Sequence, residues 1–116
     1  MYTVFLAIPC YNEQEVLPET SKQLREKMNS LINSGKISDK SRIVFINDGS
    51  ADNTWQIISE LHSSDKIFQG IKLSRNKGHQ NALLAGLMTL RDKCDAVISL
   101  DADLQDDINT IDEMIE

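Results

Sequence analysis

Cysteine is scarce in this sequence: Cys10 and Cys94 stand far apart, neither belongs to a CxxC pair, and no histidine lies at ligand spacing from either. That argues against a structural zinc and a disulfide framework, and it points to free thiols in a reducing compartment. Long apolar runs are missing too. No stretch approaches the roughly 18 apolar residues of a membrane-spanning helix, so membrane contact is left to surface helices or to sequence outside this chain. The first residues carry no basic segment and turn polar after Pro9, which reads as a strand and not a signal peptide; the expected location is cytoplasmic. The five glycines form neither G-x-G-x-x-G nor G-x-x-x-x-G-K-S/T, the patterns that cradle a pyrophosphate at a helix N-terminus. A dinucleotide or P-loop site is therefore disfavoured. Positive charge is short as well, and a net charge of −6 makes nucleic acid an unsuitable partner.

What remains is a chain of 116 residues with 41% apolar and 26% charged side chains, enough to bury a core but short for a complete two-substrate enzyme. One domain, or part of one, is the ceiling. The acid is unevenly spread: residues 92–116 hold nine acids against Lys93 alone, which leaves the first 91 residues at +2. Such a surplus is either a solvated face or a place where a divalent cation is held.

Four short apolar runs rich in β-branched residues, at 3–8, 42–46, 68–73 and 96–100, alternate with longer periodic segments. Leu17, Leu24, Met28, Leu31 and Ile32 share one helical face, with Pro18 in a first turn and Gly35 as a stop. Ile57, Ile58 and Leu61 follow the capping group Asp52-Asn53-Thr54, and Leu83, Leu84, Leu87 and Leu90 mark a third helix after Gly78. A fourth helix is expected near Asn109. Apolar strands joined by helices predict an α/β fold: a doubly wound, mostly parallel sheet sandwiched by helices. The chain stops within the expected fourth helix without a cap or closing strand, as a truncated piece of a longer protein would.

In such sheets ligands bind at the carboxyl ends of the strands. All four runs end in polar residues: Pro9-Cys10-Tyr11-Asn12-Glu13, Asn47-Asp48-Gly49-Ser50, Ser74-Arg75-Asn76-Lys77-Gly78 and Asp101-Ala102-Asp103-Leu104-Gln105. Asp101 and Asp103 can present oxygens at the sheet edge, with the Gln105 amide as a third, a donor set suited to Mg2+ or Mn2+ alongside nucleotide phosphates. The plainer alternative makes Asp101 a turn cap. Tyr11 can pack on a base and Glu13 can accept a ribose hydroxyl, or Asn12 and Glu13 simply cap the next helix. Asp48 can accept from a base N–H or a ribose, or Asp48-Gly49 is an ordinary turn. Arg75 and Lys77 offer cations to a base or phosphate, or form a solvated loop. His79 suits a helix cap, and Trp55 and His62 suit core or surface.

Taken together, Ile8-Pro9-Cys10-Tyr11-Asn12-Glu13, Ile46-Asn47-Asp48-Gly49-Ser50-Ala51-Asp52, Leu73-Ser74-Arg75-Asn76-Lys77-Gly78-His79-Gln80 and Asp101-Ala102-Asp103-Leu104-Gln105-Asp106 resemble the ordered motifs of family 2 glycosyltransferases with the GT-A fold. The wording is most similar to the subgroup that charges polyprenyl phosphates with a sugar. The resemblance implies that Pro9, Tyr11, Glu13, Ile46 and Asp48 surround base and ribose and that Arg75 approaches the nucleotide. It implies too that Asp101, Asp103 and Gln105 hold the metal with the diphosphate, with Ala102 between them beside the nucleotide and Asp103 catalytic. It implies an inverting transfer from a nucleotide-diphosphate sugar, UDP before GDP, to a polyprenyl phosphate or a growing cell-surface glycan. The acceptor half and any membrane helices would lie downstream, with the intact protein at the cytoplasmic face of the membrane. Two departures stand out: Asn47 where many relatives have aspartate, and Asp107-Ile108 where the subgroup often has Pro-Pro. The rival readings are a phosphatase-like α/β domain using Asp101 as nucleophile and Asp103 as acid, in which Gln105 is out of place, and a non-catalytic domain that binds a nucleotide or a protein partner.

Overall fold

The computed structural model describes residues 2–73, 94–100 and 102. Among them run β1 (Val4–Cys10), α1 (Leu17–Asn33), β2 (Arg42–Asn47), α2 (Thr54–Ser64), β3 (Phe68–Lys72) and β4 (Ala96–Ser99). The strands form a parallel sheet in the order β3-β2-β1-β4. The helices expected after Gly78 and near Asn109 lie outside the described residues.

The helix α1 forms where its apolar spacing predicts. Leu17, Leu24, Met28 and Leu31 are buried, Pro18 occupies the first turn, and the backbone leaves the helix at Gly35 with φ +78, a conformation glycine adopts without strain. Its buried face packs on the side chains of Val4, Leu6, Ile8, Ile43, Phe45 and Ile98, while α2 adds Ile58 to the same cluster. Both described helices therefore cover one face of the sheet, as two right-handed crossovers stepping in the same direction require. The opposite face carries Phe5, Ala7, Val44 and Ile46, all buried, so the central strands are apolar on both sides. Close approach of α2 to β3 depends on Gly70, whose absent side chain leaves room for Ile58 and Trp55.

The strand β1 runs two residues further than its apolar run suggests, through Pro9 and Cys10. A proline in a central strand would ordinarily forfeit a ladder bond. Here the odd-numbered residues of β1 turn toward β4, as the bond from Leu100 N–H to the Ala7 carbonyl shows, and pairing with β4 ends at Ser99. Pro9 thus lacks its N–H on the side where there is no further strand residue to receive it, while the β2 side stays paired through Asn47.

From β1 the chain steps to β2 and β3 on one side, and β4 lies on the other. The strand order reverses between β1 and β4, which makes the carboxyl end of that pair the crevice where an open α/β sheet takes its ligand.

Candidate functional site

The loops that leave β1 and β2 are laced to each other. Cys10 carbonyl accepts the Asp48 N–H at 2.8 Å, carrying the β1–β2 pairing past the strand ends. Asn12 N–H donates to Ser50 Oγ at 3.0 Å, and Asn12 Oδ1 in return accepts the Ala51 N–H at 2.8 Å. Two residues on, Gln14 N–H donates to Asp52 Oδ2 at 3.4 Å and Gln14 Oε1 accepts the Asn53 N–H at 3.1 Å. Between these reciprocal pairs, Glu13 N–H donates to Thr54 Oγ1 at 2.8 Å. Asn12 sits at φ +54, a left-handed conformation that asparagine tolerates better than most residues.

This arrangement replaces the helix-capping alternative for Asn12, because its side chain reaches the other loop and α1 begins after Val16 with no side-chain cap. Glu13 contributes to the start of α1 through its carbonyl, which accepts from Val16 and Leu17 N–H at 3.1 Å each. The chain bends at Gly49, which has φ +69, and Asn47 Oδ1 braces the bend by accepting the Ser50 N–H at 3.3 Å. An aspartate at position 47 would offer the same acceptor, so that departure leaves the bend intact.

Where do the candidate residues fall? Pro9 and Ile46 are register partners at the ends of β1 and β2, both buried. Asp48 is only 3% exposed, immediately beyond them. Tyr11, by contrast, is 46% exposed, and it and Tyr2 are the large exposed hydrophobic residues of the described chain. Glu13 is half-buried beside it. These five residues therefore do meet at one end of the sheet. Ala102 is buried, and its carbonyl accepts a 2.6 Å hydrogen bond from Thr20 Oγ1 of α1. Arg75, Asp101, Asp103 and Gln105 lie outside the described residues, as do Lys77 and His79. Among the described residues no three of His, Cys, Asp and Glu gather at ligand spacing. The side chains of Asp101, Asp103 and Gln105 offer oxygens, the hard chemistry that Mg2+ or Mn2+ requires, and in sequence they follow β4.

The electrostatics of the lacing are local. Partial burial raises the Asp52 carboxyl, but hydrogen bonds from the Thr54 hydroxyl and N–H and from Gln14 N–H outweigh it and hold Asp52 below its ordinary 3.8. Burial, reinforced by the Glu13 charge, pushes the Cys10 thiol far upward, so Cys10 is an inert packing residue that donates to the Ile8 carbonyl. Sequence reasoning passed over Gln14 and Thr20, quoted Ser50 and Asp52 within a strand-end motif without a role of their own there, and took Asp52 and Thr54 as part of a helix cap. The one available signal was that Thr20 falls on the same helical face as Leu17 and Leu24, where a polar residue must find a partner.

The parallel sheet and its helices make part of an α/β domain of the GT-A glycosyltransferase fold, which solved glycosyltransferases share. The chain belongs to glycosyl transferase family 2, whose family model matches residues 5–116. It is 49% identical to the uncharacterized glycosyltransferase YkoT of Bacillus subtilis (strain 168) over 91% of this chain and 32% of that protein. It is 40% identical to a prophage bactoprenol glucosyl transferase homolog of Escherichia coli (strain K12) over 97% of this chain and 34% of that one. Among solved structures, a mannosyltransferase of Pyrobaculum calidifontis in complex with GDP-Man and Mn2+ superposes with a TM-score of 0.66 at 20% identity, covering 88% of this chain and 28% of that one. The chain thus spans about a third of the length of the curated relatives it matches. The phosphatase-like alternative gives way to the family match.

Proposed function

We propose that these 116 residues are the donor half of an inverting, metal-dependent glycosyltransferase that moves a sugar from a nucleotide-diphosphate sugar to a polyprenyl phosphate or a growing cell-surface glycan. The observation that supports it best is the gathering of Tyr11, Glu13 and Asp48 at the carboxyl ends of the neighbouring strands β1 and β2, held by the laced loops. UDP is the first choice of nucleotide and GDP the second, the latter matching the ligand of the Pyrobaculum mannosyltransferase. Bactoprenol in the name of the Escherichia coli relative supports the lipid acceptor.

In this reading the exposed Tyr11 ring packs on the base, Glu13 accepts a ribose hydroxyl, and the buried Asp48 carboxylate accepts from a base N–H or ribose beside Pro9 and Ile46. Arg75 would approach the nucleotide, and Asp101, Asp103 and Gln105 would hold Mg2+ or Mn2+, with Ala102 beside the nucleotide. When bound, the cation would supply charge neutralisation to the departing nucleoside diphosphate. An acceptor oxygen attacks the anomeric carbon from the face opposite the diphosphate, the new C–O bond forms as the bond to the diphosphate breaks, and the centre inverts. A polyprenyl phosphate already carries the attacking charge near neutral pH, so it needs little help from a general base. No helix among the described residues is long and apolar enough to cross a membrane. Acceptor binding and anchorage at the cytoplasmic face belong, in this proposal, to sequence beyond this chain, and the 116 residues alone bind donor with little or no turnover.

Calorimetric titration of UDP and of GDP, with and without Mn2+, on the wild type and on Asp103→Ala tests the reading. Binding of one nucleotide that needs both Mn2+ and Asp103 is the expected result. Failure of both nucleotides to bind a folded, intact protein would remove the donor-site assignment.

A further inference from the structure

Thr20 spends its hydroxyl in an unusual way for a helical threonine. Buried Ser and Thr in helices commonly donate back to a carbonyl three or four residues earlier, and the adjacent Ser21 does so, donating to the Pro18 carbonyl at 2.9 Å. The Thr20 backbone N–H already takes the Val16 carbonyl at 3.0 Å, yet its hydroxyl crosses to the Ala102 carbonyl at 2.6 Å, 82 residues away. Both residues are 3% exposed, so no water competes for the bond and none replaces it cheaply.

Ala102 is the middle residue of Asp101-Ala102-Asp103. On its other side Leu100 N–H is held by the Ala7 carbonyl at 3.1 Å, the last link of β4 to β1. The backbone is therefore pinned at 100 by the sheet and at 102 by α1. The same helix begins on the Glu13 carbonyl, so one rigid element joins the loop of Tyr11 and Glu13 to Ala102.

We infer that Thr20 is a positioning residue for the metal-binding turn: its hydroxyl holds the Ala102 carbonyl and so sets the backbone that presents Asp101 and Asp103 to the divalent cation. The inference rests on the donor-site reading above. Mg2+ and Mn2+ demand a tight ligand geometry, and support from outside the ligand shell typically changes metal affinity by roughly 10- to 100-fold.

The test is Mn2+ binding to the intact protein, followed by the electron paramagnetic resonance of free Mn2+, for the wild type, Thr20→Val, Thr20→Ser, Leu24→Ala and Asp103→Ala, with thermal melting of each. Thr20→Val keeps the shape and loses the donor; it should raise the Mn2+ Kd about tenfold, while Thr20→Ser should return it to within about threefold of wild type. Leu24→Ala, one turn further along the buried face, should lower the melting temperature without that loss of Mn2+ affinity. Should Thr20→Val fail to fold, Thr20→Ala supplies the same comparison. Thr20→Val with wild-type Mn2+ affinity, or Leu24→Ala with an equal loss, overturns the inference while leaving the donor site standing. Indifference of Mn2+ binding to Asp103→Ala would instead bring down the donor-site reading and this inference with it.

Discussion

Thr54 Oγ1 accepts the backbone N–H of Glu13 at 2.8 Å across 41 residues of sequence, and the same hydroxyl donates its proton to Asp52 Oδ1. Thr54 is completely buried, so the first residue of α2 is a fixed post against which the loop leaving β1 is set. Replacing Thr54 with valine keeps the volume but leaves the Glu13 N–H without its hydroxyl acceptor and removes one donor from Asp52, which keeps those of the Thr54 and Gln14 N–H groups. An unsatisfied buried polar group costs about 1–3 kcal/mol, so Thr54→Val should unfold at lower urea by that amount, with Thr54→Ser close to wild type. A Thr54→Val protein of unchanged stability would show that the post bears no strain.

The same network carries a pH dependence. Asp52 is held below its ordinary 3.8, and a carboxyl lowered on folding contributes stability above its unfolded value that disappears as pH falls through the folded one. Wild type and Asp52→Asn should therefore differ by a constant amount in urea unfolding between about pH 5 and pH 7, and the gap should close below about pH 4. A gap that persists down to pH 2.5 would mean that Asp52 acts by shape and not by charge.

Gly70 makes a third prediction. A Cβ at this position would lie 2.6 Å from Ile58 Cγ2 and 3.0 Å from Trp55 Cζ3, inside contact distance of a helix that cannot retreat without opening the core. Gly70→Ala should cost about 1–3 kcal/mol, as overpacking does. The Trp55 fluorescence, with Lys72 Nζ 5.7 Å above the ring, should report the displacement. Since Ile58→Ala removes the clashing methyl, the double variant should lose less than the two single changes added together. Strict additivity would argue that α2 does not press on β3.

These relationships explain how much could be foreseen. The four strands and both described helices were legible because burial on two faces writes apolar β-branched runs and helical spacing into the chain, as in Ile43-Val44-Phe45-Ile46 and in Leu17, Leu24, Met28 and Leu31. The end of β1 was not, because the apolar run stops at Ile8, and only the side of the missing Pro9 N–H shows that pairing with β2 can go on past it. The placement of Tyr11, Glu13 and Asp48 followed from the rule that parallel sheets bind at their carboxyl ends. The lacing of Asn12 to Ser50 and Ala51, of Glu13 to Thr54 and of Gln14 to Asp52 and Asn53 leaves no period and no composition bias, only ordinary loop residues whose partners are distant in sequence. Thr20 was hidden for the same reason, its partner being 82 residues off.

Tyr11 separates function from fold most cleanly. With 46% of its surface exposed at the carboxyl end of β1, its ring contributes little to the core, and Tyr11→Ala should change stability by no more than about 0.5 kcal/mol. If the ring packs on the nucleotide base, its loss should weaken nucleotide binding by about 1–3 kcal/mol, the range for a base stacked on an aromatic side chain, or roughly 5- to 150-fold in Kd. Tyr11→Phe should keep most of the affinity, because stacking needs the ring and not the hydroxyl. Calorimetry of the two variants, beside their urea unfolding, decides between the roles. Unchanged nucleotide affinity in Tyr11→Ala would move the base away from this loop and leave Asp48 and Glu13 to hold the ribose alone.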